Sequence, residues 1–296
     1  MSVRVLILAR RFRDARAVEA TLVEAGFEAV IATDPEDAFA LSTLGRCDVV
    51  AVDADPADRA GLDLCARLRA RRDGPPVLAV TDRDAPHQRL AALDAGADEI
   101  LSRPGGGAEL LLRLEALAAL RALACRARDR AAPAAGPPGE ARRPRILVLD
   151  PEESSRTRLA ELLGGDAEVT ALSAPAQGLV RIAENGVDLA WVSEAWPDGS
   201  GWHLCRQLRL VDPSDALRTL IIAAGELRPR AMQEAGIDDG LTRPVDRCEA
   251  LARTRLALRR RALALALRDP DMHAPPAPVH RLALRPWRAP PDRFAA

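Results

Sequence analysis

Residues 48–69 read DVVAVDADPADRAGLDLCARLR, and residues 188–209 read DLAWVSEAWPDGSGWHLCRQLR. The two segments align without gaps at an offset of 140, which matches Gly61 to Gly201 and Cys65 to Cys205. AGADEILSRP from residue 95 matches AGIDDGLTRP from residue 235 at the same offset, and RVLIL from residue 4 matches RILVL from residue 145 one residue off that register. Several matched blocks in one order indicate that the chain contains two copies of one unit.

Each copy alternates short apolar runs with amphipathic stretches. The runs VLIL and VVAV are apolar throughout, which is typical of central parallel strands buried on both faces. We therefore expect an α/β fold in each copy, a doubly wound, flavodoxin-like sheet with strand order 2-1-3-4-5 and functional residues at the carboxyl ends of the strands. In the first copy the predicted strands are Val3–Leu8, Glu28–Ala32, Asp48–Asp53, Val77–Thr81 and Glu99–Leu101, and the last predicted helix is Glu109–Cys125.

The domain boundaries follow from the composition. We expect a first domain over residues 1–126, a linker rich in Pro, Gly and Ala over 127–143, and a second domain over 144–267. Residues 268–296 are rich in Pro and Arg without apolar periodicity, which predicts a tail that is disordered or ordered only on a partner, with LALRPWR as a weak candidate for a docking peptide.

Composition excludes several classes of protein. The formal net charge is −1, so no general attraction to nucleic acid or to an anionic membrane is expected. No apolar stretch approaches the roughly 20 residues of a membrane span, and no signal peptide is evident, so we expect a soluble, cytoplasmic protein. The five cysteines form no CxxC pair, which argues against a zinc site. All 42 basic residues are arginine, so an arginine where a lysine is expected has to be weighed against compositional drift.

Three predicted strand ends carry distinctive residues. The third strand ends in Asp53, Gly61 follows eight residues later, Thr81 ends the fourth strand, and Arg103-Pro104 follows the fifth. These residues resemble those of response-regulator receiver (CheY-like) domains. The resemblance implies that Asp53 accepts a phosphoryl group from a sensor histidine kinase or a phosphotransfer protein. It also implies that Thr81 and Arg103, the latter in the place of a lysine, contact the phosphate, and that Mg²⁺ binds an acidic pair after the first strand together with the acceptor Asp.

The first copy departs from this pattern at the acidic pair, which is replaced by Ala9 and Arg10. Asp53 alone is a weak magnesium ligand set, because Mg²⁺ requires several oxygen ligands in octahedral geometry. Two interpretations of Asp53 stay open. It is a working phosphoacceptor, or it is a remnant whose carboxylate pairs with Arg10 in place of the metal.

The second copy departs further. Ser193 replaces the acceptor, Ala224 the hydroxyl residue and Arg243 the lysine, while Asp150 is followed by Pro151 where a second acid is expected. Asp150 is either a weak metal ligand or a residue that caps the start of the next helix, and the capping role fits better without an acidic neighbour. An unactivated serine hydroxyl is a poor nucleophile, which predicts a pseudo-receiver. Arg103 and Arg243 either bind phosphate or reflect the lysine-free composition.

Two further positions bear on signalling. Receivers often carry a switching aromatic residue three places before the lysine, and the two copies hold Ile100 and Gly240 there. The last helix, from about Asp246 to Leu267, is longer than a receiver needs. It either carries a signal to an output domain or to a second chain, or it is a C-terminal packing helix.

The order of the parts is similar to the front half of PleD-type response regulators, without the GG[DE]EF motif of their cyclase domain. Three functions remain: a non-enzymatic adaptor or dimerisation module in two-component signalling, a phosphorylatable response regulator that uses Asp53, and a truncated relic of a diguanylate cyclase. The family implies protein partners or a dimer through helix 4, strand 5 and helix 5, and neither a nucleic acid nor a membrane is expected as a partner.

Overall fold

The computed structural model describes residues 2–8, 12–54, 59–71, 73–82, 86–103, 107–130, 142–197, 201–212 and 216–268. These residues form two five-stranded sheets, and neighbouring strands in both sheets run parallel. Both sheets have the strand order 2-1-3-4-5, counted along their own half of the chain. The predicted doubly wound α/β fold and its strand order are confirmed in both halves.

The first sheet contains β1 (Arg4–Leu8), β2 (Glu28–Ala32), β3 (Val49–Asp53), β4 (Val77–Asp82) and β5 (Glu99–Arg103). Its helices are α1 (Phe12–Glu24), α2 (Pro35–Thr43), α3 (Ala60–Ala70), α4 (Pro86–Ala95) and α5 (Gly107–Arg130).

The second sheet contains β6 (Arg145–Leu149), β7 (Glu168–Leu172), β8 (Leu189–Ser193), β9 (Arg218–Ala223) and β10 (Asp239–Thr242). Its helices are α6 (Glu153–Gly164), α7 (Pro175–Asn185), α8 (Gly201–Val211), α9 (Pro229–Ala235) and α10 (Arg247–Arg268).

Each sheet is buried on both faces, and the interior positions of its central strands are apolar. In β1, Leu6 and Leu8 belong to one hydrophobic core, while Val5 and Ile7 belong to the core on the other face. Strand β8 divides its side chains in the same way between two cores of the second half. The helices that supply these cores leave the carboxyl ends of the strands as the accessible edge of each sheet.

The helices at the predicted domain boundaries differ slightly from expectation. Helix α5 continues to Arg130, past the predicted start of the linker at 127, and residues 131–141 lie outside the described residues, so the linker stays a prediction. Helix α10 includes the ALALAL run at 262–267 and ends at Arg268, one residue past the predicted end of the last helix. The tail, with its LALRPWR segment, lies outside the described residues from 269 onward.

The two halves share part of their interior through α5 and α10. Cys248 and Ala252 of α10 belong to a core of the first half, and Leu256 belongs to the other core of that half. In return, Leu112 of α5 packs against a core of the second half. The long last helix therefore packs against the first domain of its own chain, an arrangement that the apolar pattern of α10 did not predict.

No helix within the described ranges is long and apolar enough to cross a membrane.

Candidate functional site

In the first domain, Asp53 and Thr81 lie on neighbouring strands at the carboxyl edge of the sheet. Asp53 is the last residue of β3 and pairs in register with Val80, the residue before Thr81. Thr81 is fully buried and pairs in register with Ser102 of β5. The Thr81 hydroxyl makes no hydrogen bond to the part of the chain that the structure describes. A buried hydroxyl without such a bond is available to a group that arrives at this edge.

Gly61 brings the start of α3 against this edge. A Cβ atom at Gly61 would lie 2.5 Å from the carbonyl oxygen of Asp53 and 2.9 Å from a methyl carbon of Val52. Any larger residue would push the helix away from the strand end. The glycine eight places after the acceptor position is therefore a packing requirement of the repeat, and Gly201 meets the same requirement in the second half.

Several predicted residues of the first site fall outside what the structure describes. Ala9 and Arg10 lie among residues 9–11, and Pro104 among residues 104–106. Arg103 ends β5 by its backbone, but its side chain is outside the described atoms. The pairing of Arg10 with Asp53 and the contact of Arg103 with phosphate stay predictions.

In the second domain, the guanidinium of Arg243 lies at the strand ends among four oxygen atoms. Its Nη2 donates to Asp150 Oδ2 at 2.7 Å and to Ser193 Oγ at 3.1 Å. Its Nη1 donates to Glu152 Oε2 at 3.0 Å and to Ser155 Oγ at 2.9 Å. Arg243, in the lysine place, thus binds both Ser193 in the acceptor place and Asp150, the acid that remains after the first strand.

Asp150 is used on both carboxylate oxygens. Its side chain is 0% exposed, Oδ2 accepts from Arg243, and Oδ1 accepts from the backbone N–H of Glu152 at 3.0 Å. Glu152, and not Asp150, is the N-cap residue of α6. Asp150 thus stabilises the turn that precedes the helix, while its charge is balanced by the guanidinium.

The second site does not fit a magnesium ion. Mg²⁺ requires oxygen ligands that are free to turn toward it, and a carboxylate is the ligand of choice. Here Asp150 already binds a cation and a backbone N–H, Ser193 Oγ accepts from the backbone N–H of Ala195 at 3.2 Å, and Pro151 has no side-chain ligand. Among the residues with described positions, no three His, Cys, Asp or Glu side chains form a group that could share a metal ion.

The sequence of the first site also provides few side-chain ligands for a magnesium ion. Asp53 supplies one carboxylate, whereas Ala9 has no side-chain ligand and Arg10 is a cation. A single carboxylate leaves most of the octahedral positions of Mg²⁺ to water. A magnesium site in the first domain therefore stays a weak prediction.

Glu194, one place after Ser193, binds the segment that follows β9. This role was not predicted from the sequence. Its Oε2 accepts from the backbone N–H of Ala224 at 2.8 Å, and its Oε1 accepts from Trp202 Nε1 at 2.7 Å and from Arg228 Nη2 at 2.9 Å. Burial alone would raise the pKa of Glu194, but these hydrogen bonds and the charge of Arg228 outweigh burial and lower the pKa below its usual value.

The signal for Glu194 was present in the repeat. At the offset of 140, Glu194 matches Ala54, so the second copy carries an acid one place after the position where the first carries its acceptor. Ala224 itself, in the place of the hydroxyl residue, directly follows β9 and contributes only its backbone N–H to this bond. Arg243 and Glu194 therefore make hydrogen bonds within the second site itself.

Residues 13–115 match the response regulator receiver domain family. Response regulator PleD of Caulobacter vibrioides is 26% identical over 284 residues, which are 91% of this chain and 62% of PleD. Response regulator MprA of a Mycobacterium species (strain KMS) is 36% identical over 162 residues, which are 53% of this chain and 64% of MprA. The chain thus spans less than two thirds of the length of these curated relatives.

Two solved structures of response regulators are also similar to part of this chain. A putative response regulator from Chloroflexus aurantiacus is 26% identical with a TM-score of 0.38 and covers 40% of this chain and 99% of its own. The chemotaxis response regulator CheY4 of Vibrio cholerae is 25% identical with a TM-score of 0.36, again over 40% of this chain and 99% of its own. The family match covers residues 13–115, and the second half of the chain repeats the strand order and the motifs of the first.

Proposed function

We propose that this chain acts in two-component signalling as a non-enzymatic adaptor whose second domain is a permanently closed pseudo-receiver. The observation that supports this proposal is the bonding of Arg243 to Asp150 and Ser193. Phosphoryl transfer requires a free nucleophile and cations that are available to the equatorial oxygens of the phosphoryl group. In the second domain the cation is already neutralised by the acid, and the acceptor place holds a serine without a general base among the described residues.

The second domain is then a binding module of fixed shape. Glu194 ties the chain after β9 to the end of β8, and Arg228 lies over the ring of Trp202 at 4.9 Å from its centroid. Internal charges hold this region, so partner proteins would meet one constant surface.

A second candidate is a phosphorylatable response regulator that uses Asp53. The buried Thr81 hydroxyl, which makes no hydrogen bond to any described residue, lies at the same strand edge as Asp53 and favours this candidate. In such a reaction a carboxylate oxygen of Asp53 would form a bond to phosphorus while the bond from phosphorus to the donor breaks. The donor would be a sensor histidine kinase or a phosphotransfer protein.

Intact-mass spectrometry after incubation with acetyl phosphate and Mg²⁺ separates these candidates. The adaptor predicts no phosphoryl adduct on the wild-type chain. An adduct that is absent from an Asp53→Asn variant would establish the phosphorylatable regulator. An adduct that persists in Asp53→Asn and maps to Ser193 would contradict the closed second domain.

A further inference from the structure

Two arginines are completely buried where the domains meet. Arg113 of α5 donates to a carboxylate oxygen of Asp239 and, at 3.0 Å, to the carbonyl oxygen of Gly240. Arg253 of α10 pairs with Glu109 at 3.2 Å and with Glu249 at 3.0 Å. Buried guanidinium groups need such partners, because an unpaired charge in a protein interior is strongly destabilising.

These inner pairs follow the sequence repeat. At the offset of 140, Arg113 corresponds to Arg253 and Glu109 to Glu249, and both domains carry an acid at the start of the fifth strand, Glu99 and Asp239. An arginine of α5 would therefore find an acid on β5 of an identical domain as readily as it finds Asp239. The inner pairs alone do not distinguish a first domain from a second one as the partner.

Two outer ion pairs do not follow the repeat. Arg89 of α4 pairs with Asp246 at 2.8 Å, and Arg259 of α10 pairs with Asp98, the residue before β5. The Arg89 side chain is only 7% exposed; it donates to Ser102 Oγ at 3.3 Å, and Asp246 supplies the opposite charge.

The repeat equivalents of these outer residues differ in chemistry. Residue 106, the equivalent of Asp246, is a glycine, and residue 119, the equivalent of Arg259, is an alanine. A pair of two first domains would thus place Arg89 against Gly106 and Asp98 against Ala119. Both charges would be taken out of water without the oppositely charged partner that each has in this chain.

We define the pairing face as the surfaces of α4, β5 and α5 in the first domain and of β10 and α10 in the second that contact each other. We propose that the outer ion pairs make the pairing face selective, so that the first domain binds a second domain and rejects another first domain. The chain thereby makes within itself the contact that the family resemblance predicted between two chains. This proposal does not depend on the phosphorylation state of Asp53.

The selectivity can be tested in the full chain by charge reversal at the Arg259–Asp98 pair. Arg259→Glu places two carboxylates together and is expected to open the domains, which small-angle scattering detects as a larger radius of gyration. The double variant Arg259→Glu with Asp98→Arg restores opposite charges and is expected to recover the compact radius. Arg230→Glu reverses a charge on α9 that is 92% exposed and is expected to leave the radius unchanged.

Light scattering of the opened variant measures its molar mass and so tests whether the first domains of two chains bind each other. We expect Arg259→Glu to stay monomeric at tens of micromolar, because its freed first domains would bury Arg89 and Asp98 without partners. An opened variant that forms a dimer would overturn the selectivity. A double variant that stays as open as Arg259→Glu would overturn the role of the ion pair.

A milder variant keeps the test valid if Asp98→Arg fails to fold, since Asp98 also accepts from the backbone N–H of Val77 at 2.9 Å. Asp246→Asn removes the charge opposite Arg89 and retains an oxygen for the backbone N–H of Glu249, which Asp246 binds at 3.0 Å. It is expected to enlarge the radius without unfolding the domains, as judged by circular dichroism. A compact Asp246→Asn with unchanged stability would overturn the role of the Arg89 pair.

Discussion

Arg243 and Asp150 form the pair on which the second domain's closed site depends. Truncation by Arg243→Ala would leave the fully buried Asp150 carboxylate without its countercharge. We expect a loss of about 2–4 kcal/mol in the unfolding free energy of the second domain, because breaking a buried pair costs more than breaking an exposed one. Urea unfolding followed by tryptophan fluorescence measures this loss, since Trp191, Trp196 and Trp202 all lie in the second domain.

Arg230→Ala serves as the matched control for this prediction. Arg230 pairs with Glu234 on the surface of α9 at 3.1 Å, and its side chain is 92% exposed. An exposed pair contributes about 0–1 kcal/mol. Equal losses in the two variants would mean that Arg243 behaves as a surface residue and would contradict the closed site.

Glu99 gives the first domain a predicted dependence on pH. Its carboxyl group is fully buried, and burial raises its pKa to about 7 against the opposing charges of Arg113 and Arg253. An unfolded glutamate titrates near 4.5, so between about 4.5 and 7 the folded chain binds a proton that the unfolded chain releases. The contribution of Glu99 to the unfolding free energy should therefore grow as the pH falls from 7 toward 5.

Glu99→Gln tests this dependence while its amide oxygen can keep the bond from the backbone N–H of Ile100, which is 3.0 Å in the wild type. We expect the variant to unfold with a flatter pH profile between 5 and 8, and to be more stable than the wild type above pH 7 by about 1–3 kcal/mol. Chemical unfolding at several pH values provides the comparison. A variant with the same slope as the wild type would show that Glu99 does not titrate in this range.

The residues at the strand ends were predictable, but their partners were not. The repeat and the resemblance placed Asp53, Thr81, Ser193 and Arg243 at one edge of their sheets, because parallel strands end together. The bond between Arg243 and Asp150 joins residues 93 positions apart, and its geometry depends on the register of the sheet. The role of Glu194 was not predicted, because the family resemblance concerns the acceptor position, Ser193, and not the residue after it.

Helix α8 begins against the end of β8 at a contact that allows no side chain. A Cβ atom at Gly201 would lie 2.4 Å from the carbonyl oxygen of Ser193 and 2.7 Å from Cα of Glu194. We expect Gly201→Ala to lower the unfolding free energy by about 1–3 kcal/mol, because backbone atoms cannot move aside as a flexible side chain can. The same tryptophan-monitored urea titration measures the change.

Gly164→Ala is the control for the glycine, since nothing lies within 4 Å of a Cβ atom there. Gly164 is the last residue of α6, where alanine favours the helix and the change should be neutral or slightly stabilising. A neutral Gly201→Ala would mean that α8 can shift at no cost, contrary to the packing described for both copies.

At the scale of elements, the sequence predicted the strands of the first domain and the last helix of the second to within a few residues. Apolar runs and their spacing suffice for this where the interior of a strand is apolar, as in β1 and β3. The partner of α10 could not be predicted, because an apolar stripe shows which face of a helix is buried and not what covers it. In the structure that cover includes the first domain, which lies more than 100 residues earlier in the chain.

For the molecule as a whole, the shared interior predicts that the halves stay together without a covalent link. A protease site inserted between residues 131 and 141 would allow the chain to be cut after folding. We expect the two fragments to elute together in gel filtration, because apolar residues of α5 and α10 and buried ion pairs join them. Separate elution of the cut wild-type chain would contradict the shared interior, and the cut Arg259→Glu variant should separate more readily.

Because the two copies lie in one chain, their interface is not bound by the symmetry of a homodimer. Two identical subunits that meet across a twofold axis must use one surface for both roles, so every substitution appears on both sides at once. After duplication and fusion, one side can change while the other compensates, and a pair such as Arg89 and Asp246 can arise where its counterparts are Pro229 and Gly106. In the same way, the second copy can lose its acceptor while the first keeps Asp53. The two copies of one ancestral segment can then differ in role, one with an acceptor residue and the other as a binding partner of fixed shape.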